Sequence, residues 1–196
     1  NRVADAKAIL DEAKNKGVKG GGFEQIEKRL ICLQKGIEVK VASSKSQEPP
    51  KEHLQNLINL YTQGQFQKAL AQGLELLKDF PNSFNLYNII GAVNKDKGNL
   101  DEAIEAYNKA LLLKPDFAEA YNNMGIVLQD QGKLEKAIEA YKKAIAIGPD
   151  FAEAYNNMGI SLQDQGNIKE AIKSYNKAIS IKPDYANAYN NMGTAL

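Results

Sequence analysis

The chain has 196 residues, with 25 Lys and Arg against 24 Asp and Glu, 43% hydrophobic residues and one cysteine. This is the composition of an ordinary globular protein of one domain, with at most a small appendage. A formal net charge of +1 excludes a field of one sign that would hold nucleic acid or an anionic membrane, and no run reaches the roughly 18 apolar residues of a spanning helix. In chain order, Val3, Ala6, Leu10 and Ala13 have helical spacing, and residues 23–33 can form a second helix. Residues 1–37 are therefore expected to be an N-terminal helical pair. Between its helices, Gly20-Gly21-Gly22 lacks the Gly-Lys-Ser/Thr ending of a nucleotide loop and follows no strand, so it reads as a hinge. The first 49 residues carry ten basic and seven acidic side chains, too small an excess for a nucleic-acid surface. Residues 38–49, with Ser43, Ser44, Ser46 and Pro49, read as an extended linker.

Beyond the linker the chain is periodic. Asn-Asn-Met-Gly occurs at 122–125, 156–159 and 190–193, a step of 34 residues. Residues 118–151 and 152–185 agree at 23 of 34 positions, and 84–117 agrees with 118–151 at 17 of 34. In one unit, Ala120, Tyr121, Met124, Gly125 and Leu128 mark one helix face, and Gly132 breaks the run. Ala137, Ile138, Tyr141, Ala144 and Ile145 mark a second, closed by Gly148-Pro149-Asp150. Each unit is a helical hairpin that cannot bury both stripes alone, so successive hairpins must stack into one continuous core. Gly125, Ala137 and Ala144 are expected at the closest helix approaches, with the rings of Tyr121 and Tyr141 filling the spaces between adjacent hairpins. Residues 50–83 follow the pattern through Gly64, Ala69 and Pro81 only, as a degenerate unit in which His53, Asn56, Leu57 and Gly73 depart from it. Residues 186–196 begin a further unit and cover its first helix.

Catalytic groups are scarce. His53 is the single histidine and Cys32 the single cysteine, so no His/Cys metal cluster can form, and no Ser, His and Asp arrangement stands out. The carboxylates lie among lysines on helix faces, as in Asp101-Glu102 and Glu135-Lys136, where charges mainly solvate. Neither an enzyme nor a cofactor is expected within the chain. The unpaired Cys32 favours a reducing, cytoplasmic setting.

These residues carry a resemblance. A 34-residue helical pair with an aromatic, then Leu or Met with Gly, then Ala, an aromatic, Ala and Pro resembles the tetratricopeptide repeat. The motif falls on Tyr121, Met124, Gly125, Leu128, Ala137, Tyr141, Ala144 and Pro149, and again on Tyr155, Met158, Gly159, Leu162, Ala171, Tyr175, Ala178 and Pro183. The preceding unit supplies Tyr87, Ile90, Gly91, Ala103, Tyr107, Ala110 and Pro115, with Asn94 in place of a large residue. The implied fold is all-α, a right-handed superhelical solenoid of helix-turn-helix repeats over residues 50–196. It divides into 50–83, 84–117, 118–151, 152–185 and the half repeat 186–196, with residues 1–37 a divergent unit.

The resemblance also implies a function. Tetratricopeptide arrays hold a peptide or partner protein in a concave groove lined by the first helix of each pair. Here that face would comprise Asn88, then Asn122, Asn123, Ile126, Gln129 and Asp130, then Asn156, Asn157, Ile160, Gln163 and Asp164, and finally Asn190 and Asn191. An asparagine amide complements one peptide unit, and Asn123, Asn157 and Asn191 resemble the asparagine ladder of O-linked N-acetylglucosamine transferases, with Ile89 as a missing rung. The alternative is that these asparagines cap or solvate helix turns and were copied with the repeat. Asp130 and Asp164 would favour a basic partner or sit as solvated charges. Two readings follow: a non-catalytic protein-interaction scaffold, or the substrate-presenting arm of a larger bacterial enzyme resembling the glycosyltransferases and sulfotransferases that carry such arrays. The absent initiator Met and the end at Leu196 suggest a piece of a longer protein. Tyr189, Met192 and Leu196 on the last helix suggest homo-oligomers formed through that uncapped face.

Overall fold

The computed structural model describes residues 48–196; the expected helical pair at 1–37 and the linker up to residue 47 lie outside them. Among the described residues there are nine helices and no strand. They form hairpins: α1 (Lys51–Thr62) with α2 (Phe66–Asp79), α3 (Phe84–Asp96) with α4 (Leu100–Leu113), and α5 (Ala118–Asp130) with α6 (Leu134–Ile147). Next come α7 (Ala152–Asp164) with α8 (Ile168–Ile181), and then α9 (Ala186–Ala195). Each second helix packs on the first helix that follows it, and α1, α3, α5, α7 and α9 lie side by side in that order. The result is an all-α repeat solenoid in which every hairpin touches only its neighbours. No described helix is long and apolar enough to cross a membrane.

The turns show why the chain folds back at a fixed interval. Gly64, Gly98, Gly132 and Gly166 have φ of 72°, 81°, 72° and 80°, left-handed values that cost a residue with a Cβ about 1–2 kcal/mol. This geometry closes the first helix on itself. The N–H of Lys133 donates to the carbonyl of Leu128 at 2.9 Å, and that of Gly132 to Gln129 at 2.8 Å, satisfying carbonyls that the helix end leaves open. Second helices end differently, in extended backbone at Lys114, Gly148 and Lys182, each followed by a proline that cannot continue the helix.

The core repeats with the sequence. Tyr107, Tyr141 and Tyr175 are buried, and each ring lies on the glycine of its own first helix. A Cβ at Gly91, Gly125 or Gly159 would stand 2.6, 2.5 or 2.4 Å from the facing ring, so these positions exclude any larger residue. Tyr141 thus fills its own hairpin, and the buried cluster it forms with Leu128, Ala137 and Ala140 packs against Ile104 of the hairpin before and Met158 of the one after. Ala137 and Ala144 are fully buried as expected, and burying a ring of this size stabilises by roughly 1.5–3 kcal/mol. Tyr121, by contrast, is half-buried, with the Lys143 ammonium 5.5 Å from its ring centre.

Hairpin α1–α2 reaches the same close approach with the roles exchanged. Leu57 stands where the other hairpins have glycine and Gly73 where they have tyrosine. Both are buried, and a Cβ on Gly73 would come within 3.6 Å of the Leu57 side chain and 3.1 Å of Ile90. Large and small are thus swapped across the contact, and Ile90 also reaches into the space beside Gly73. Asn94 is also buried, and its side-chain carbonyl accepts from the Asn99 amide at 3.3 Å, which satisfies a polar group where the later repeats place leucine.

Candidate peptide-binding face

The adjacent first helices α3, α5, α7 and α9 carry all thirteen residues expected to face a partner. They fall into two groups. Ile126 and Ile160 are half-exposed, and Asp130, Asp164 and Asn190 are open to solvent, as a binding face requires. The remaining eight each make a side-chain hydrogen bond inside the solenoid, across a seam between repeats or, for Gln163, within its own hairpin.

The largest correction concerns Asn122 and Asn156, which are 1% and 4% exposed and so do not face a groove. They accept instead from the next repeat. The Asn157 amide donates to the Asn122 side-chain carbonyl at 3.1 Å and the Asn191 amide to that of Asn156 at 2.9 Å. One repeat earlier the Asn123 amide donates to Asn88 at 3.2 Å. These three bonds share one offset of 35 residues and join α3 to α5, α5 to α7 and α7 to α9. The asparagine pair is a rung of the solenoid itself, because two amides that meet in a closing seam must pair or lose their hydrogen bonds to water. Asn122 also donates to Glu153 at 3.5 Å, and Asn156 to Asn157 at 3.4 Å.

Asn123, Asn157 and Asn191 are nevertheless half-exposed. An asparagine amide has two N–H donors and two acceptor lone pairs, and each of the three spends one N–H on its neighbour. The Oδ1 atoms of Asn123 and Asn191 accept from no group among the described residues. Each side chain therefore retains hydrogen-bonding capacity.

Gln129 and Gln163 serve the core. The Tyr141 hydroxyl donates to Gln129 at 3.2 Å and the Tyr175 hydroxyl to Gln163 at 2.9 Å, while the buried Ser161 hydroxyl also donates to Gln129 at 2.9 Å. Burial pushes Tyr175 up to about 12 and raises Tyr141 as well, in both cases with a nearby aspartate carboxylate adding to the shift. These phenols stay protonated and donating at neutral pH. Sequence spacing alone gave no sign of a further seam: the Gln131 amide donates to Asp101 at 2.9 Å and that of Gln165 to Glu135 at 3.0 Å, both across 30 residues. Unit 118–151 alone carries both partner types, since the glutamine position is Lys97 in the unit before and the acidic position is Lys169 in the unit after.

No group of three His, Cys, Asp or Glu residues that could hold a metal ion occurs among the described residues. What the face offers is a strip of alternating aliphatic, amide and carboxylate groups repeated at the helix spacing.

Comparisons with known proteins agree with this architecture. The family model described as TPR repeat matches residues 93–132, 127–166 and 161–196. The peroxisomal targeting signal receptor of Saccharomyces cerevisiae is 30% identical over 111 residues, which is 57% of this chain and 18% of the receptor; the match thus spans less than a fifth of that relative. The crystal structure of MamA has a TM-score of 0.64 at 33% identity, covering 70% of this chain and 80% of that one. The first repeat domain of Spaghetti, solved with an HSP90 peptide, shares the fold with a TM-score of 0.56 at 21% identity, covering 57% of this chain and 89% of that one.

Proposed function

The chain belongs to the tetratricopeptide repeat family, and on that premise we propose that it is a non-catalytic protein-interaction scaffold binding an extended segment of a partner along α3, α5, α7 and α9. The observation that carries this reading is the repetition of one surface. Ile126 with Asp130 and Ile160 with Asp164 lie one repeat apart, beside Asn123, Asn157 and Asn191 with their remaining amide capacity. A peptide along such a strip meets the same groups at each step, aliphatic for its side chains and amide for its backbone. The same fold holds a peptide in the Spaghetti repeat domain. Asp130 and Asp164 favour basic side chains in the partner, with the larger effect on the rate of encounter.

Panning a random decapeptide library on the chain tests this. The selected peptides are expected to lose at least about tenfold in affinity, about 1.4 kcal/mol, when Ile126 and Ile160 are both replaced by Glu. Asp130→Asn with Asp164→Asn is expected to weaken basic peptides selectively. Binding that ignores the isoleucine changes would overturn the placement of the peptide, and equal affinity for basic and acidic peptides would remove the aspartates as readers.

A further inference from the structure

An open cleft of about 320 Å³ lies at the turn between α6 and α7, away from the strip just described, lined by Ala118, Glu119, Gly148, Pro149, Asp150 and Phe151. The equivalent turn one repeat earlier shows what is missing from it. There the Lys114 ammonium sits 4.7 Å from the centre of the Phe84 ring and 5.0 Å from that of Phe117. The two rings meet edge to face at 5.2 Å, and Phe117 is buried. One repeat later Lys182 lies 5.2 Å from the Tyr185 ring. The middle turn has Gly148 in the lysine position and Ala118 in place of Phe84; the later turn shares the alanine, as Ala152, but keeps its lysine. The cleft is the space those two side chains would take, and it leaves Phe151 only half-buried.

Nothing in the fold requires that glycine. Gly148 has φ −121° and ψ 88°, against −136° and 87° at Lys114 and −127° and 90° at Lys182, so the backbone is one that any residue adopts. A Cβ on Gly148 would meet its nearest neighbours at 3.7 and 3.8 Å, ordinary contact distances. The cleft keeps the aromatic ring and adds Glu119, where the earlier repeat has Asn85, beside Asp150. Both residues are exposed, and neither carboxylate makes an ion pair among the described residues.

We propose that this cleft takes the side chain of a lysine from a partner protein, seating its ammonium over Phe151 and between Glu119 and Asp150 in the place that Lys114 and Lys182 fill from within the chain. A cation over an aromatic face gains free energy from the ring quadrupole, and the two carboxylates, whose counterparts in the repeat of Lys182 are Glu153 and Asp184, add favourable charge. The proposal goes beyond the peptide strip and does not depend on it.

The test is a titration of the isotopically labelled chain with N-acetyl-lysine methylamide, following the backbone amide resonances of Gly148 and Phe151. We expect saturable shifts at both, with a dissociation constant of about a millimolar, and binding at least about tenfold weaker for the norleucine analogue, which keeps the apolar stem without the charge. Gly148→Lys should abolish the binding by filling the cleft from within, at unchanged or higher melting temperature. Glu119→Gln with Asp150→Asn should weaken it about tenfold, and decides the matter if the lysine variant fails to fold. Ile126→Glu with Ile160→Glu should leave it intact. Absent shifts, equal binding of norleucine, or undiminished binding with the carboxylates removed would each overturn the proposal.

Discussion

At the scale of the residue, the same amino acid in the same motif position has opposite consequences according to what faces it. Gly125 lies beneath Tyr141, with room for no Cβ, whereas a Cβ at Gly193 would meet nothing within 4 Å. Replacing Gly125 with Leu forces the ring out of a packed site, an overpacking cost of about 1–3 kcal/mol. We expect thermal unfolding followed by circular dichroism to show a melting temperature lower by several degrees, at roughly 2–4 °C per kcal/mol for a chain of this size. Gly193→Ala has no such cost and removes the helix penalty of glycine, so it should stabilise by up to about 1 kcal/mol. The glycine, tyrosine and alanine spacing made the hairpin readable from sequence, because the period of a repeated contact survives in the letters. The burial of Asn122 beside the half-exposed Asn123 did not. Adjacent helix positions differ by about 100° in direction, and which of the two enters the seam is decided by how the next helix lies across the first, a tertiary quantity absent from either unit alone.

At the scale of the element, tyrosine hydroxyls tie helices together, two of them within a hairpin and one between hairpins. Tyr141 and Tyr175 donate from α6 and α8 to glutamines on α5 and α7, and Tyr61 donates from α1 to Asp96 on α3 at 2.6 Å. Burial, then the hydrogen bond to Asp96, pushes Tyr61 up to about 12; burial first pushes up Tyr175, also to about 12, and raises Tyr107 and Tyr141. A phenol whose folded value lies above its ordinary value of about 10 contributes stability that is complete below pH 10 and is lost as pH rises through the folded value. Melting temperature should therefore hold steady up to about pH 10 and fall between about pH 10 and 12, and Tyr175→Phe should make that fall shallower. A curve of the same slope in the variant would show that Tyr175 plays no part in it. The hairpin pairing was legible in the sequence. The glutamine acceptors were not, because a polar residue near the end of an amphipathic helix looks solvent-bound until its cross-helix partner is known.

At the scale of the molecule, every contact joins neighbours, so energetic coupling should extend one repeat and stop. A double-mutant cycle pairing Asn122→Ala with Asn157→Ala reads the seam directly. The two side chains share a hydrogen bond at 3.1 Å, and we expect a coupling of about 0.5–1.5 kcal/mol in urea unfolding. Asn88→Ala with Asn191→Ala, whose partners lie in other seams, should add without coupling to within about 0.5 kcal/mol. Appreciable coupling in the second pair would show that a change in one seam is transmitted through the repeat to the other. The solenoid was predictable from the 34-residue period together with the one-sided apolar stripes. Its seams required the structure, since their offsets of 35 and 30 residues differ from the period and each relates unlike positions of successive units.

Those offsets have an evolutionary meaning. The units 118–151 and 152–185 each carry both halves of the asparagine rung, the acceptor for the unit after it and the donor for the unit before, so either copy can be laid against the other. A gene that slips by one unit during replication yields a longer or shorter array whose new junction is already complementary. Length can then drift and be selected without the surfaces being reinvented. A single altered copy, such as the one bearing Gly148, can acquire an individual task while its neighbours go on holding it in place.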